Sequence, residues 1–273
     1  MNEKSVPWNG TGQQTSLSRS CLIQARVIYA LMMREVITRY GRDNIGFMWV
    51  FVEPMIFTLG VTGLWHVYEM SRGPGISVTA LAWTGYSTVM LWRNATQRCS
   101  KAIEPNLGLL YHRNVRVLDL FFSRVILEIL GGTLSTLLIG VGLIGFGLIE
   151  APADPILMIS GWFLLMWYSF AMGVIVGALS ERWEAFERLY HPTLYFYLGI
   201  SGCFFMVDWL PSSLQRLAEL VPTVTVTEMM RHGYAGNAVH TYEQPGYLCV
   251  LCLLLTIVGL LLARQTQERI GEH

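Results

Sequence analysis

Residues 155–180 read PILMISGWFLLMWYSFAMGVIVGALS, twenty-six positions without one Asp, Glu, Lys or Arg. A helix needs roughly 20 apolar residues to cross about 30 Å of hydrocarbon, and this run is long enough. Gly73–Trp92, Ile129–Ile149 and Gln244–Ala263 are equally free of formal charge, and Gly46–Tyr68 holds only Glu53. Pro192–Val207 is charge-free as well, but its 16 residues would rise only about 24 Å at 1.5 Å per residue. The pattern predicts an all-α polytopic membrane protein. Its six transmembrane helices fall at about 46–68, 75–92, 124–149, 156–180, 192–208 and 246–263, the fifth unusually short.

The whole chain agrees with a partly lipid solvent. Of its 273 residues 53% are hydrophobic and only 14% charged, against about 25% charged in soluble domains. Lys+Arg and Asp+Glu number 19 each, so the net charge is zero, which lacks the basic field that nucleic-acid binding needs.

Orientation follows from the basic residues, which favour the cytoplasmic side. With the N-terminus inside, the arm Lys4–Arg42, the loop Arg93–Arg124, the pair Arg182 and Arg188 and the tail with Arg264 and Arg269 all face the cytoplasm. Those hold 16 of the 19 basic residues, and only Arg72, Arg216 and Arg231 fall outside. Both termini are therefore expected in the cytoplasm. Residues 1–20 lack the apolar core of a signal peptide, and 1–19 read as a Thr-, Ser- and Gln-rich disordered lead-in; 266–273 form a cytoplasmic tail. Five cysteines lie mostly in apolar runs without a disulfide pattern, and the six histidines have no ligand spacing. Cys249 and Cys252 match CxxC inside a predicted span, where membrane packing is the better reading.

Three segments are more than spans or simple connections. Residues 20–44 carry one apolar stripe, Ala25, Ile28, Tyr29, Met32, Met33, Val36 and Tyr40, which predicts an amphipathic helix in the interface plane. It serves as an anchor, or as an anchor that also touches substrate. In the second loop Glu104-Pro105 can open a helix whose Ile103, Leu107 and Leu110 share a face, either for a protein groove or folded back on the third span. Residues 208–242 alternate polar edges with apolar pieces and predict helices that dip back into the membrane as a gate. Glu53, the single acid within a span, precedes Pro54 and either faces a water-filled path or pairs with a loop arginine. Gly173-Val-Ile-Val-Gly177 is a close-packing GxxxG.

No Walker A loop, nucleophile elbow, HExxH motif or paired carboxylates occur, so any ATP chemistry must come from a partner. The stretch Met33-Arg-Glu-Val-Ile-Thr-Arg-Tyr-Gly-Arg42 through Gly46-Phe-Met-Trp-Val-Phe-Val-Glu-Pro54, Ala102-Ile-Glu-Pro-Asn-Leu-Gly-Leu-Leu-Tyr-His-Arg-Asn-Val-Arg-Val-Leu-Asp119, and Pro222 with Glu228-Met-Met-Arg231-His-Gly-Tyr234 closely resemble the ABC-2 permeases that export capsular polysaccharide. The resemblance spans about residues 20–265. Several relatives have Asn before the proline at 222 and His three residues after it; Val221 and Thr225 stand here, so no histidine-based gating carries over.

This resemblance implies the permease subunit of an ATP-driven exporter that moves lipid-linked capsular polysaccharide across the inner membrane. It implies a homodimer, two ABC ATPase subunits, a periplasmic co-polymerase and an outer-membrane exporter, with ATP and Mg held by the ATPase and no cofactor in this chain. Glu104, Asn106, Leu107, Leu110, Tyr111 and Arg113 would dock the ATPase. Arg34, Arg39 and Arg42 would meet the lipid terminus. Glu228 and Arg231 would belong to the periplasmic gate. A sugar chain wants apolar faces with hydroxyl-bonding tips, so Trp49, Trp83, Trp92, Tyr195, Phe196, Tyr197 and the kink at Glu53 are the pathway candidates. Two alternatives stand beside this: an ABC-2 permease for a smaller lipid or drug, and a membrane transferase for lipid-linked sugar, with Glu53 as its acid or base.

Overall fold

The computed structural model describes residues 17–40, 75–110 and 115–271, and scattered helical positions between 48 and 67. Every long element among the described residues is helical. In chain order these are α1 (Leu17–Tyr40), α2 (Val78–Ser100), α3 (Val117–Gly145), α4 (Pro155–Arg182), α5 (Glu184–Ile200), α6 (Ser212–Ala218), α7 (Pro222–Ala235) and α8 (Pro245–Gly271). A 3-10 turn at Glu104–Asn106 runs into the single helical turn Leu107–Leu110.

Three of these, α3, α4 and α8, are long and apolar enough to cross a membrane. Six were expected. The first expected span lies largely outside the described residues. The second is α2, which is the centre of the bundle: 18 of its 23 residues are buried. Its Thr84, Thr88 and Thr96 hydroxyls donate to carbonyls one turn back, at 2.8, 2.7 and 3.0 Å. Polar side chains that bond their own helix can sit in an interior, so α2 is buried without being strongly apolar. The fifth is α5, which begins at Glu184, continues through Pro192 and stops at Ile200; residues 201–206 form an irregular turn with Gly202 at φ 80°.

The elements close onto one another at both ends. At one end lie the C-terminal halves of α2, α4 and α8 and the N-terminal ends of α3 and α5. There the Val117 N–H donates to Gln267 of α8 at 2.6 Å, and Arg182 of α4 reaches Gln265. We call this the basic end. At the opposite end α7 packs against α2 and α4, with Asp154 N–H donating to the Gly233 carbonyl at 2.7 Å. The Asp154 carboxylate caps α4 by accepting from Ile156 and Leu157 N–H, which stabilises the helix start.

One apolar cluster, around Trp83, Leu91, Trp92, Leu165, Tyr168, Val226 and Leu248, fills the middle and the opposite end. A second, with Leu31, Ile103, Phe121, Val125, Val174 and Ala263, fills the basic end. Lipid tails are as apolar as leucine, so close packing and hydrogen bonds hold such helices together, rather than exclusion of water. Gly177 meets this demand: a Cβ there would lie 2.3 Å from the Phe121 ring. α8 is different, with Leu253, Leu254, Ile257 and Leu261 all exposed, a face suited to lipid.

α1 packs along α3 with Leu31 and Val36 buried. The expected stripe is split. Ile28, Met32 and Val36 turn toward the bundle, whereas Ala25, Tyr29 and Met33 face outward with Leu22 and Ile37. The packed side also carries polar contacts: Gln24 donates to Asp119, and Glu35 pairs with Arg124 at 3.2 Å. With the buried Leu31 and Val36 they fix which face of α1 meets α3.

Candidate functional site

The turn at 104–110 is built from the inside. Ile103 is buried in the basic-end cluster. Asn106 is buried too; its Nδ2 donates to the Ala102 carbonyl at 2.8 Å and its Oδ1 accepts from Arg34 at 2.6 Å. Leu107 is exposed and Leu110 half-buried, so the expected face of Ile103, Leu107 and Leu110 is shared between interior and surface. Glu104 is exposed. Tyr111 and Arg113 lie outside the described residues.

Arg34 therefore joins the expected lipid-contact set to the expected docking set. Arg42, and the side chain of Arg39, fall outside what is described. Around Arg34 opens a cavity of about 250 Å³, lined among others by Glu35, Thr38, Arg98, Asn106, Ser123 and Arg124. Of its three arginines, Arg124 pairs with Glu35 and Arg98 with Glu128. Arg124 Nη1 also donates to the Arg98 carbonyl at 2.9 Å, and Arg98 sits 3.5 Å from Glu128, so α1, α2 and α3 are tied at this one place.

The aromatic candidates separate into two kinds. Trp83 and Trp92 are buried in the core of the chain. Trp83 donates from Nε1 to the Thr136 carbonyl at 3.1 Å and meets Tyr234 edge-on. Trp92 lies between Tyr168 and Tyr197, with ring centroids at 6.2 and 4.3 Å. Tyr197 is half-buried and shares a 2.9 Å hydrogen bond with Thr223. Tyr195 and Phe196 are exposed at 66% and 80%, and Arg93 lies over the Tyr195 ring at 4.8 Å. Trp49 and Glu53 lie outside the described residues.

At the opposite end Glu228 and Arg231 form an ion pair at 3.5 Å with neither side chain exposed at all. The guanidinium donates to the carbonyls of Phe205, at 2.6 Å, and Cys203, at 3.0 Å. The carboxylate accepts from the N–H groups of Val207 and Tyr242, each at 3.4 Å. One i,i+3 pair on α7 thus holds the turn after α5 and the segment before α8. Gly85 of α2 makes room for it: a Cβ there would stand 2.4 Å from the Cys203 carbonyl and 2.8 Å from the Arg231 guanidinium.

The profile of the ABC-2 type transporter family matches residues 26–234, which takes in most of α1, the turn, the aromatic core and this ion pair. The chain belongs to the ABC-2 type transporter family. It is 43% identical, over 95% of its length and 98% of the relative's, to the capsule polysaccharide export inner-membrane protein BexB of Haemophilus influenzae. Identity to the corresponding protein CtrC of Neisseria meningitidis serogroup A is 42%, covering 90% of this chain and 93% of that one. The polysialic acid transport protein KpsM of Escherichia coli is more distant, 25% identical over 90% of this chain.

Several polar residues of this ABC-2 permease gain prominence only in the fold. Arg98 and Arg124, loop charges by the pattern of charge-free runs, both line the cavity beside Arg34. Arg93 and Gln97 follow the charge-free window that ends at Trp92. They belong to α2, which runs on to Ser100. The available signal was spacing: Arg93, Gln97 and Lys101 recur every fourth residue, which is one helix face.

Proposed function

We propose that this chain is the permease subunit of an ATP-driven exporter that carries lipid-linked capsular polysaccharide across the inner membrane. The observation that carries the reading is likeness along nearly the whole chain: 43% identity to a capsule polysaccharide export inner-membrane protein over 98% of that protein. A shared domain alone would leave the cargo open, whereas this match covers cytoplasmic turn, core and ion pair together.

In this reading six spans place both termini in the cytoplasm, with the basic end inward, and two copies form the transport path. Two ABC ATPase subunits dock at the turn 104–110, with ATP and Mg on those subunits. ATP-driven closure of the ATPase pair moves the turn, and through Asn106 and Arg34 it moves α1 and the lipid-binding surface. Arg34, Arg39 and Arg42 meet the anionic lipid terminus. The exposed Tyr195 and Phe196 on α5 offer stacking faces to the sugar chain, and the buried Trp92 packs on the neighbouring Tyr197. The segment 201–244 with Glu228 and Arg231 closes the outer side, where a periplasmic co-polymerase and an outer-membrane exporter take over the glycan.

The test is co-purification of the detergent-solubilised chain with the ATPase encoded beside it, with ATP turnover measured for ATPase alone and for the mixture. A two-plus-two complex with changed turnover is the expected result, and deletion of the gene should leave polysaccharide inside the cell. An ATPase that ignores the chain, or capsule that still reaches the surface after deletion, overturns the proposal.

A further inference from the structure

α2 and α5 run antiparallel, and their polar side chains meet at one constant register. Lys101 Nζ lies 3.2 Å from Glu187. Four residues back on α2 and four forward on α5, Gln97 Nε2 is 3.3 Å from His191 Nδ1. Four further, Arg93 stacks on Tyr195 at 4.8 Å. At the same register Gly85 approaches Cys203, at the turn beneath the Glu228–Arg231 pair. The three polar rungs are spaced by about 6 Å, the rise of four helical residues.

Two further observations separate this seam from ordinary helix packing. Trp92 Nε1, Arg93 Nε and His191 Nε2 are buried with no hydrogen-bond partner. All three lie on or beside the rungs, where buried polar atoms are ordinarily hydrogen-bonded. The seam is also open along one side: Tyr195 is 66% exposed and Lys101 is exposed. Cations bordering hydrocarbon are costly, so such an edge faces water or protein. The charged and titratable groups along it are Lys101, Arg93, His191, Glu187, Tyr190 and Tyr195; its acid, Glu187, lies at the basic end, where Glu181 and Glu104 are near.

We propose that the α2–α5 seam is a glycan-binding track in which Arg93 and His191 are specificity-determining residues. They select chains that carry carboxylate or phosphodiester groups over neutral ones. The inference rests on the exporter reading above and adds to it where the chain is gripped. Arg93 keeps one face on Tyr195 and directs its free N–H at an anionic group. Gln97 and the second nitrogen of His191 bond sugar hydroxyls one rung nearer the basic end. The aromatic faces of Tyr195 and Phe196 take the apolar side of the sugar ring.

The test measures binding to the purified permease–ATPase complex of two fluorescent oligosaccharides of equal length: an oligogalacturonate, with a carboxylate on every sugar, and a neutral maltooligosaccharide. Wild type should prefer the acidic one by roughly tenfold, the scale of one charge-assisted hydrogen bond. Arg93→Gln should abolish the preference. Arg93→Lys should retain part of it, and His191→Gln should reduce it. As a check that does not remove a grip, Gln97→Cys in a background without the native cysteines should react with an anionic water-soluble thiosulfonate. Oligogalacturonate should protect it, and maltooligosaccharide should not. A preference that survives in folded Arg93→Gln, or protection by short-chain phosphatidylglycerol in place of the oligosaccharide, overturns the track. In either case capsule export by wild type would still stand, whereas absence of export from wild-type cells would fail the exporter reading itself.

Discussion

Two ion pairs at opposite ends of the molecule hold their charges in opposite ways. At the basic end, where Arg124–Glu35 is nearly buried, Lys101–Glu187 is wet, with side chains 61% and 26% exposed. At the opposite end the Glu228–Arg231 pair is wholly buried, and its four backbone hydrogen bonds fix two chain segments. Exposed pairs are individually weak and can exchange partners. A buried pair is intolerant of change, because loss of one member strands a charge. In the proposed exporter, the first arrangement suits an element that follows a docked ATPase and the second suits the proposed outer closure.

The comparison breaks most plainly by removing one acid from each end. Glu228→Ala leaves Arg231 buried beside only backbone carbonyls and should cost about 3–5 kcal/mol. Glu187→Ala should cost about 0.2–1 kcal/mol. Thermal unfolding of the two variants in detergent is the measurement. Equal losses would mean that the buried pair is no more structural than the wet one. The next effect is steric. Gly85→Ala places a Cβ 2.4 Å from the Cys203 carbonyl, and a helix backbone cannot yield as a side-chain tip can. Overpacking of this kind costs about 1–3 kcal/mol. The same substitution at Gly142, where a Cβ meets nothing within 4 Å, should leave the melting temperature unchanged. A Gly85→Ala variant as stable as Gly142→Ala would mean that the α2 contact does not hold the turn.

How far these features could be read in advance depends on whether they are local. The charge-free runs ending at Ile149, Ser180 and Ala263 mark α3, α4 and α8, because a lipid-facing helix must exclude charge along its own sequence. The end of α2 is legible only in the fourfold spacing of Arg93, Gln97 and Lys101; what places it is α5, whose Tyr195 meets Arg93 and whose Glu187 meets Lys101. α1 shows the same limit. Its apolar periodicity was visible, but Gln24 and Glu35 find Asp119 and Arg124 on α3, and the apolar stripe is divided. Glu228 and Arg231 were recognisable as a motif, and their spacing of three allows a pair. That both are fully buried depends on where α7 lies, and no periodicity reports that. Trp83 and Trp92 illustrate the converse: an aromatic suits a sugar path and a packed core equally well, and the neighbours Thr136, Tyr168 and Tyr197 decide its place.

The smallest expected effect lies between the two extremes, at His232 and Glu243. This pair ties α7 to the segment before α8 by a hydrogen bond from a half-exposed ring. Burial pushes the Glu243 carboxyl up, but hydrogen bonds from Thr241, His232 and its own backbone outweigh that and hold it below its ordinary value. A carboxyl depressed in the folded state contributes stability that is present above its unfolded pKa, about 4.3. The contribution is lost as pH falls through the depressed folded value. Acidification from neutral should therefore leave this tie unchanged until the pH drops below about 4.3 and then loosen it, by on the order of 1 kcal/mol or less for so partly exposed a pair. Amide hydrogen exchange in residues 236–244, corrected for the intrinsic pH dependence, reads this out: protection should fall in acid in the wild type. In Glu243→Gln it should be low at neutral pH and flat below. If wild-type protection is equally flat, the Glu243 tie does not hold the segment, and the contrast between the two ends rests on the Glu228–Arg231 pair alone.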